Sequence, residues 1–156
     1  MPLSGLAVGF DRDTTDDHFA HAAVWDLSTR TLSSLAELPG HNQSTAIDVR
    51  LIGGNSLIGG YSSDGVTETA VVWDNTGIWG TGGGPVSVMA ALAAGGVNIG
   101  DWSSLSRVTT MVDDGQTVAG WGIWADGSTR GFIATIPEPA TLLLVVLGLA
   151  IARPRR

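Results

Sequence analysis

The densest group of ionisable side chains is Asp11-Arg-Asp-Thr-Thr-Asp-Asp-His-Phe-Ala-His21, which packs four aspartates and two histidines into eleven residues. Alternating carboxylates supply the hard oxygen ligands that Ca²⁺ takes, which makes Asp11, Asp13 and Asp16 weak calcium candidates. A helix-loop-helix calcium site also needs Gly at its sixth position and Glu at its twelfth. Counted from Asp11 these are Asp16 and Ala22, so that motif fails and a solvated acidic loop is the better reading. His18 and His21 are possible zinc ligands, and His41 stands alone after a Pro-Gly turn. A second chemistry needs two carboxylates across a glycosidic bond, and Asp48, Asp64, Asp74, Asp113 and Asp114 are available for it. A third uses aromatic faces. Trp79, Trp102 and Trp124 lie in Gly-rich or polar context and are candidates for stacking on sugars, whereas Trp25 and Trp73 end apolar runs and are expected in the core. No serine stands in a nucleophile elbow, and Gly82-Gly-Gly84 is not followed by the Gly-Lys-Ser/Thr of a phosphate loop. No cofactor is implied.

The elements that must carry these residues are read from a repeat. An apolar run ending in Gly and an aromatic occurs as Leu6-Ala-Val-Gly-Phe10, Leu57-Ile-Gly-Gly-Tyr61 and Val118-Ala-Gly-Trp121. After a polar loop, a second run ends in an aromatic and an acid, as Ala22-Ala-Val-Trp-Asp26 and Ala70-Val-Val-Trp-Asp74. The third copy weakens to Gly131-Phe-Ile-Ala134. Gly54-Asn55 and Asp114-Gly115 are hairpin dipeptides, and Asp64-Gly65 and Asp126-Gly127 mark loops. Each copy therefore reads as strand, tight turn, strand, loop, strand. Strands are expected near residues 31–38, 45–51, 56–62 and 68–73, and one short helix near 88–94. Acids that recur at one module position, Asp26 with Asp74 and roughly Asp64 with Asp126, are expected to cap turns rather than to catalyse. Gly9, Gly60 and Gly120 lie 51 and 60 residues apart, and such spacings with short strands point to sheet-based repeats.

Leu35-Ala-Glu-Leu-Pro-Gly40, Ser44-Thr-Ala-Ile-Asp-Val49, Gly59-Gly-Tyr61 and His21-Ala-Ala-Val-Trp25 together resemble the HAF family of bacterial extracellular repeats, over roughly residues 3–80 and 105–135. The resemblance implies an all-β, propeller-like architecture and places His21 in a structural role on a strand edge. About two and a half modules of short antiparallel strands are present, an incomplete set where propellers close with about 4–8 blades.

Beyond residue 135 the composition changes. Pro137-Glu138-Pro139 is a rigid break, residues 140–152 form an uncharged apolar run, and Arg153, Arg155 and Arg156 form a basic end. The order reads as a membrane helix with its arginines on the cytoplasmic side. Thirteen helical residues span about 20 Å against a hydrocarbon core of about 30 Å. This stretch resembles the PEP-CTERM sorting signal of Gram-negative envelope proteins. The resemblance implies recognition and cleavage by an exosortase-like membrane protease, with Pro137, Glu138, Pro139, Arg153, Arg155 and Arg156 as the signal residues. The expected organisation is a β-repeat domain over residues 1–135 and a sorting tail over 136–156.

Composition bounds the partners. Residues 1–152 hold five arginines and fifteen acids, a net charge of −10, which argues against nucleic acid. There is no cysteine, so disulfides and thiol chemistry are excluded. The first residues do not read as a secretory signal peptide, although a sorting tail serves an exported chain. A truncated or misassigned start is therefore expected. The reading overall is a non-enzymatic envelope or extracellular-matrix protein, anchored briefly in the inner membrane through residues 140–152 and then released or held at the surface. The alternatives are a carbohydrate-binding surface module, with exopolysaccharide as ligand, and a secreted glycan hydrolase.

Overall fold

The computed structural model describes residues 5–12, 19–80 and 83–137. They form three antiparallel sheets and one short helix. The first sheet contains β1 (Leu6–Asp11), β2 (His21–Asp26) and β3 (Thr31–Ser34) in that order. The middle sheet contains β4 (Gln43–Ile52), β5 (Asn55–Ser63), β6 (Glu68–Asp74) and β7 (Pro85–Ser87). Helix α1 (Val88–Ala94) follows, and the third sheet contains β8 (Trp102–Met111), β9 (Thr117–Trp124) and β10 (Thr129–Thr135).

The strand pattern explains the packing. Ala70, Val71, Val72 and Trp73 of β6 are apolar without alternation, and all four are buried. Such a run fits a strand covered on both faces. Val71 and Trp73 join Ala22, Ala46 and Ile58 in a core between the first and middle sheets. Ala70 and Val72 join Leu57, Leu105, Val108, Val118 and Phe132 in a larger core between the middle and third sheets. The middle sheet is thus the filling of a serial stack. The β4–β5 hairpin turns through Gly53 and Gly54, both at positive φ. These left-handed conformations match the twist of the flanking strands and are open to glycine at no steric cost.

One expectation needs adjustment. The strand expected over 31–38 stops at Ser34, because Leu35 and Leu38 both turn inward onto the core between the first two sheets. Residues three apart cannot share a face of a continuing strand. The stretch from Pro85 forms the edge strand β7, where a proline's missing donor is tolerated. The helix near 88–94 is present, capped by the Ser87 hydroxyl accepting from the Ala90 N–H, and its buried residues Val88, Ala91 and Leu92 close one end of the larger core. Among the described residues no helix is long and apolar enough to cross a membrane. The membrane helix expected over 140–152 lies outside the described residues.

Candidate functional site

The carboxylates sort by what they hold. Asp74 sits at the end of β6 and is almost fully buried. Its Oδ1 accepts from the Thr76 N–H and hydroxyl and from the Gly77 N–H, while its Oδ2 accepts from the N–H groups of Trp79 and Gly80. Burial works to raise its pKa. The Thr76 hydroxyl and the backbone donors outweigh that and hold the carboxyl below its ordinary value. Asp26, at the same module position, caps its own turn through the Ser28 hydroxyl and the Ser28 and Thr29 N–H groups, in the open. Asp126 does so through Ser128, and Asp64 through the N–H groups of Val66 and Thr67. These bonds hold the pKa of all three below the usual carboxylate range, led by the Ser28 hydroxyl for Asp26, the Thr67 N–H for Asp64 and the Ser128 hydroxyl for Asp126. The recurrent acids are turn caps, as their repetition implies.

The remaining candidate acids are placed differently. Asp48 lies beside a bulge in β4, where the register shifts between Ala46 and Asp48. The extra residue, Ile47, turns the strand so that the Asp48 carboxylate meets the neighbouring sheet, where it accepts from the Met111 N–H and the Thr110 hydroxyl. Arg50 donates to Asp48 and to the Met111 carbonyl, completing a pin between the middle and third sheets. Asp114 accepts from the Gln116 N–H in the β8–β9 turn, and the neighbouring Asp113 is exposed, with its Oδ1 3.2 Å from the Arg50 Nε.

Among the described residues no cluster of three or more metal-ligating side chains exists. Asp11 ends β1, while Asp13, Asp16 and His18 lie outside the described residues. His21 Nδ1 lies 2.9 Å from Glu37 Oε1, which also accepts from the buried Ser44 hydroxyl. Ser44 Oγ in turn accepts from the Ala22 N–H, so this network ties β2 to the middle sheet. His41 Nδ1 pairs with the buried Ser62 hydroxyl. Sequence reasoning missed Glu37 and Ser44, since nothing local marks them as partners of His21.

The three candidate sugar-stacking tryptophans separate. Trp79 is 3% exposed and belongs to the larger core, with its Nε1 donating to the Gly115 carbonyl at 2.6 Å. No face of that ring is open to a sugar, so its expected role is corrected. A tryptophan in Gly-rich context still buries its large apolar area when a backbone carbonyl can take its N–H. Trp102 and Trp124 come together. They are register partners at the start of β8 and the end of β9, with ring centroids 5.0 Å apart and edge to face. Trp102 also meets Phe132 edge to face, and the Arg130 guanidinium lies 4.7 Å from the Trp124 centroid. The pair walls a cavity of about 270 Å³ completed by Leu92, Val97, Ile99 and Phe132. Its walls are mainly apolar. Val97 and Ile99 were not singled out, although their alternation with Asn98 is a signal of one apolar face.

Midway along β8, Arg107 pairs with Glu68 across the sheet junction and lies 4.1 Å from the Tyr61 ring centroid and 5.5 Å from that of Trp121. Of the sorting-signal residues only Pro137 is described. Glu138, Pro139, Arg153, Arg155 and Arg156 lie outside the described residues.

Against known proteins the chain stands without a match: no protein-family model, no curated protein and no solved structure is similar to it.

Proposed function

We propose that the chain is a non-enzymatic repeat module of an exported cell-envelope or extracellular-matrix protein. The observation that carries the reading is the use of its recurrent aspartates: Asp26, Asp64, Asp74 and Asp126 each close a turn of the sheet they follow. Three sheets stacked in series support a propeller-like repeat, with the middle sheet buried on both sides. The tail from Pro137 onward, with its break, apolar run and arginines, is the address: it engages an exosortase-like protease at the inner membrane, and cleavage near residues 137–139 frees the body for the surface. Expression beside an exosortase-class protease, followed by mass spectrometry of the mature C-terminus, tests this. A terminus near residues 137–139 in the surface or extracellular fraction is expected. An intact Arg156 in that fraction overturns the sorting role.

A second reading is favoured by one feature, the Trp102–Trp124 cavity. Apolar walls with two indole rings suit the faces of a polysaccharide. If it is a sugar site, Trp102→Ala and Trp124→Ala each abolish binding on a glycan array, and an array without any bound glycan for the unaltered chain rules it out.

A further inference from the structure

We infer that the cavity walled by Trp102 and Trp124 is the seat of the chain's own tail, which docks there in cis through the leucines of residues 142–144. The cavity exists because of one difference between modules. Gly60 pairs with Val71 and Gly120 with Phe132, so Trp73 in the middle sheet and Ala134 in the third hold the same module position. Trp73 fills its junction. It is 1% exposed, packs in the smaller core with Leu35 and Leu38 from the stretch between β3 and β4, and donates its Nε1–H to the Ala36 carbonyl. At the next junction the stretch between α1 and β8 brings up Val97 and Ile99, but Ala134 has only a methyl group to set against them. The space of about 270 Å³ stands where a large apolar side chain is missing. An apolar cavity of roughly 150 Å³ takes up benzene, so this one has room for more than one leucine side chain.

Two features name the occupant. The first is where the chain leaves the described body. The Ile136 N–H donates to the Gln116 carbonyl, which carries the pairing of β10 one step further, and Ile136 packs on the larger core. The Pro137 ring then lies against the end of α1, where a Cβ built on the C-cap Gly95 would stand 3.6 Å from the Pro137 Cδ. Leu92 of that helix and Ala134 and Thr135 of β10 line the cavity, so the tail departs from its rim. Leu142 comes five residues after Pro137, a reach of about 17 Å when extended, which allows it to fold back beyond the Pro137–Pro139 break. The second feature is chemical. No residue lining the cavity is charged, and the run over 140–152 is uncharged and begins with three consecutive leucines, Leu142, Leu143 and Leu144. Seating them takes apolar surface out of water and completes the junction with the chain's own side chains, as Trp73 completes the other. The docking stands on the cavity and the exit point. Its role, keeping the run out of water until a membrane takes it up, rests on the sorting reading above.

The chain has no cysteine, so paired thiols report the contact. Asn98 is an exposed residue of the cavity wall, and Thr29 is an exposed residue of the β2–β3 turn in the first sheet. Full-length N98C/L143C and T29C/L143C chains are exchanged out of detergent at about 10 μM, on the order of a hundredfold below the millimolar effective concentration that a short tether gives, and oxidised with copper-phenanthroline. An intramolecular disulfide is expected in N98C/L143C, with a yield unchanged on dilution, and little is expected in T29C/L143C. Ala134→Trp, which puts the middle sheet's residue into the cavity, should suppress it several-fold. L142S/L144S, which leaves the body untouched, should do the same. A disulfide no more frequent with N98C than with T29C leaves the cavity to a sugar or another ligand and overturns the proposal. So does one indifferent to both of those changes, or one formed chiefly between chains, which would assign the cavity to a second copy. Sorting is read separately from the mature C-terminus: cleavage near residues 137–139 without the disulfide removes the docking and leaves the sorting standing.

Discussion

At the scale of single residues, the acidic side chains act on the backbone. Five donors converge on Asp74, and burial makes each bond matter. Its carboxyl has a lowered pKa in the folded chain. A group depressed on folding stabilises above the unfolded carboxylate pKa of about 3.9, and that contribution is lost as pH falls through the folded value. Asp74→Asn replaces an acceptor with an amide donor facing the Trp79 and Gly80 N–H groups. It should lower stability near neutral pH by about 2–3 kcal/mol in urea unfolding. The gap to the unaltered chain should narrow as pH falls below about 4, where the unfolded chain takes up the proton first and the folded carboxyl only at lower pH. Asp26→Asn, at the exposed equivalent, should shift the same curves little. Equal losses for the two variants would show that burial does not separate the two caps. The capping role was legible because Asp26 and Asp74 recur. The role of Asp48 was not, since it depends on a one-residue bulge that no periodicity announces.

At the scale of the element, the glycine before each module's aromatic has a physical reason. A Cβ built on Gly60 would lie 2.0 Å from the Thr45 carbonyl oxygen, and one on Gly120 1.8 Å from that of Arg107. In both sheets the preceding strand is bulged beside that glycine, which brings its backbone close. Gly9 holds the same position with nothing within 4 Å, because among the described residues β1 is the edge strand of its sheet. Gly60→Ala and Gly120→Ala should each cost about 3 kcal/mol or more, since backbone rather than a flexible side chain must move. Gly9→Ala should change stability by less than about 0.5 kcal/mol. Thermal unfolding of the three variants checks this, and a costly Gly9→Ala would mean that the edge of β1 is occupied. The strands over 45–51, 56–62 and 68–73 were legible from turn dipeptides and apolar runs. β7 was not, because three residues with a proline among them carry no period.

At the scale of the molecule, the stack is quasi-linear. The first sheet meets the middle one through β4, and the third meets it through β4, β5 and β6. The repeat showed that sheets of one kind follow each other. It could not show which faces are covered, since Trp25 and Trp73 lie in nearly the same local sequence, Ala-Ala-Val-Trp-Asp and Ala-Val-Val-Trp-Asp, and differ sharply in exposure. In such an array stability falls to the units with fewest covered faces. The middle sheet is covered on both sides, and its β5 and β6 residues Leu57, Ile58, Val71 and Val72 are at most 1% exposed. β3 is exposed along its whole length. Opening the first sheet uncovers only the smaller core, while opening the middle sheet breaks both. Amide hydrogen exchange should therefore be slowest in β5 and β6, intermediate in β9, and fastest in β1 and β3. The ordering should hold at low denaturant, where local opening dominates over global unfolding. If β1 and β3 were as protected as β6, the three sheets would open as one cooperative unit and the serial description would fail.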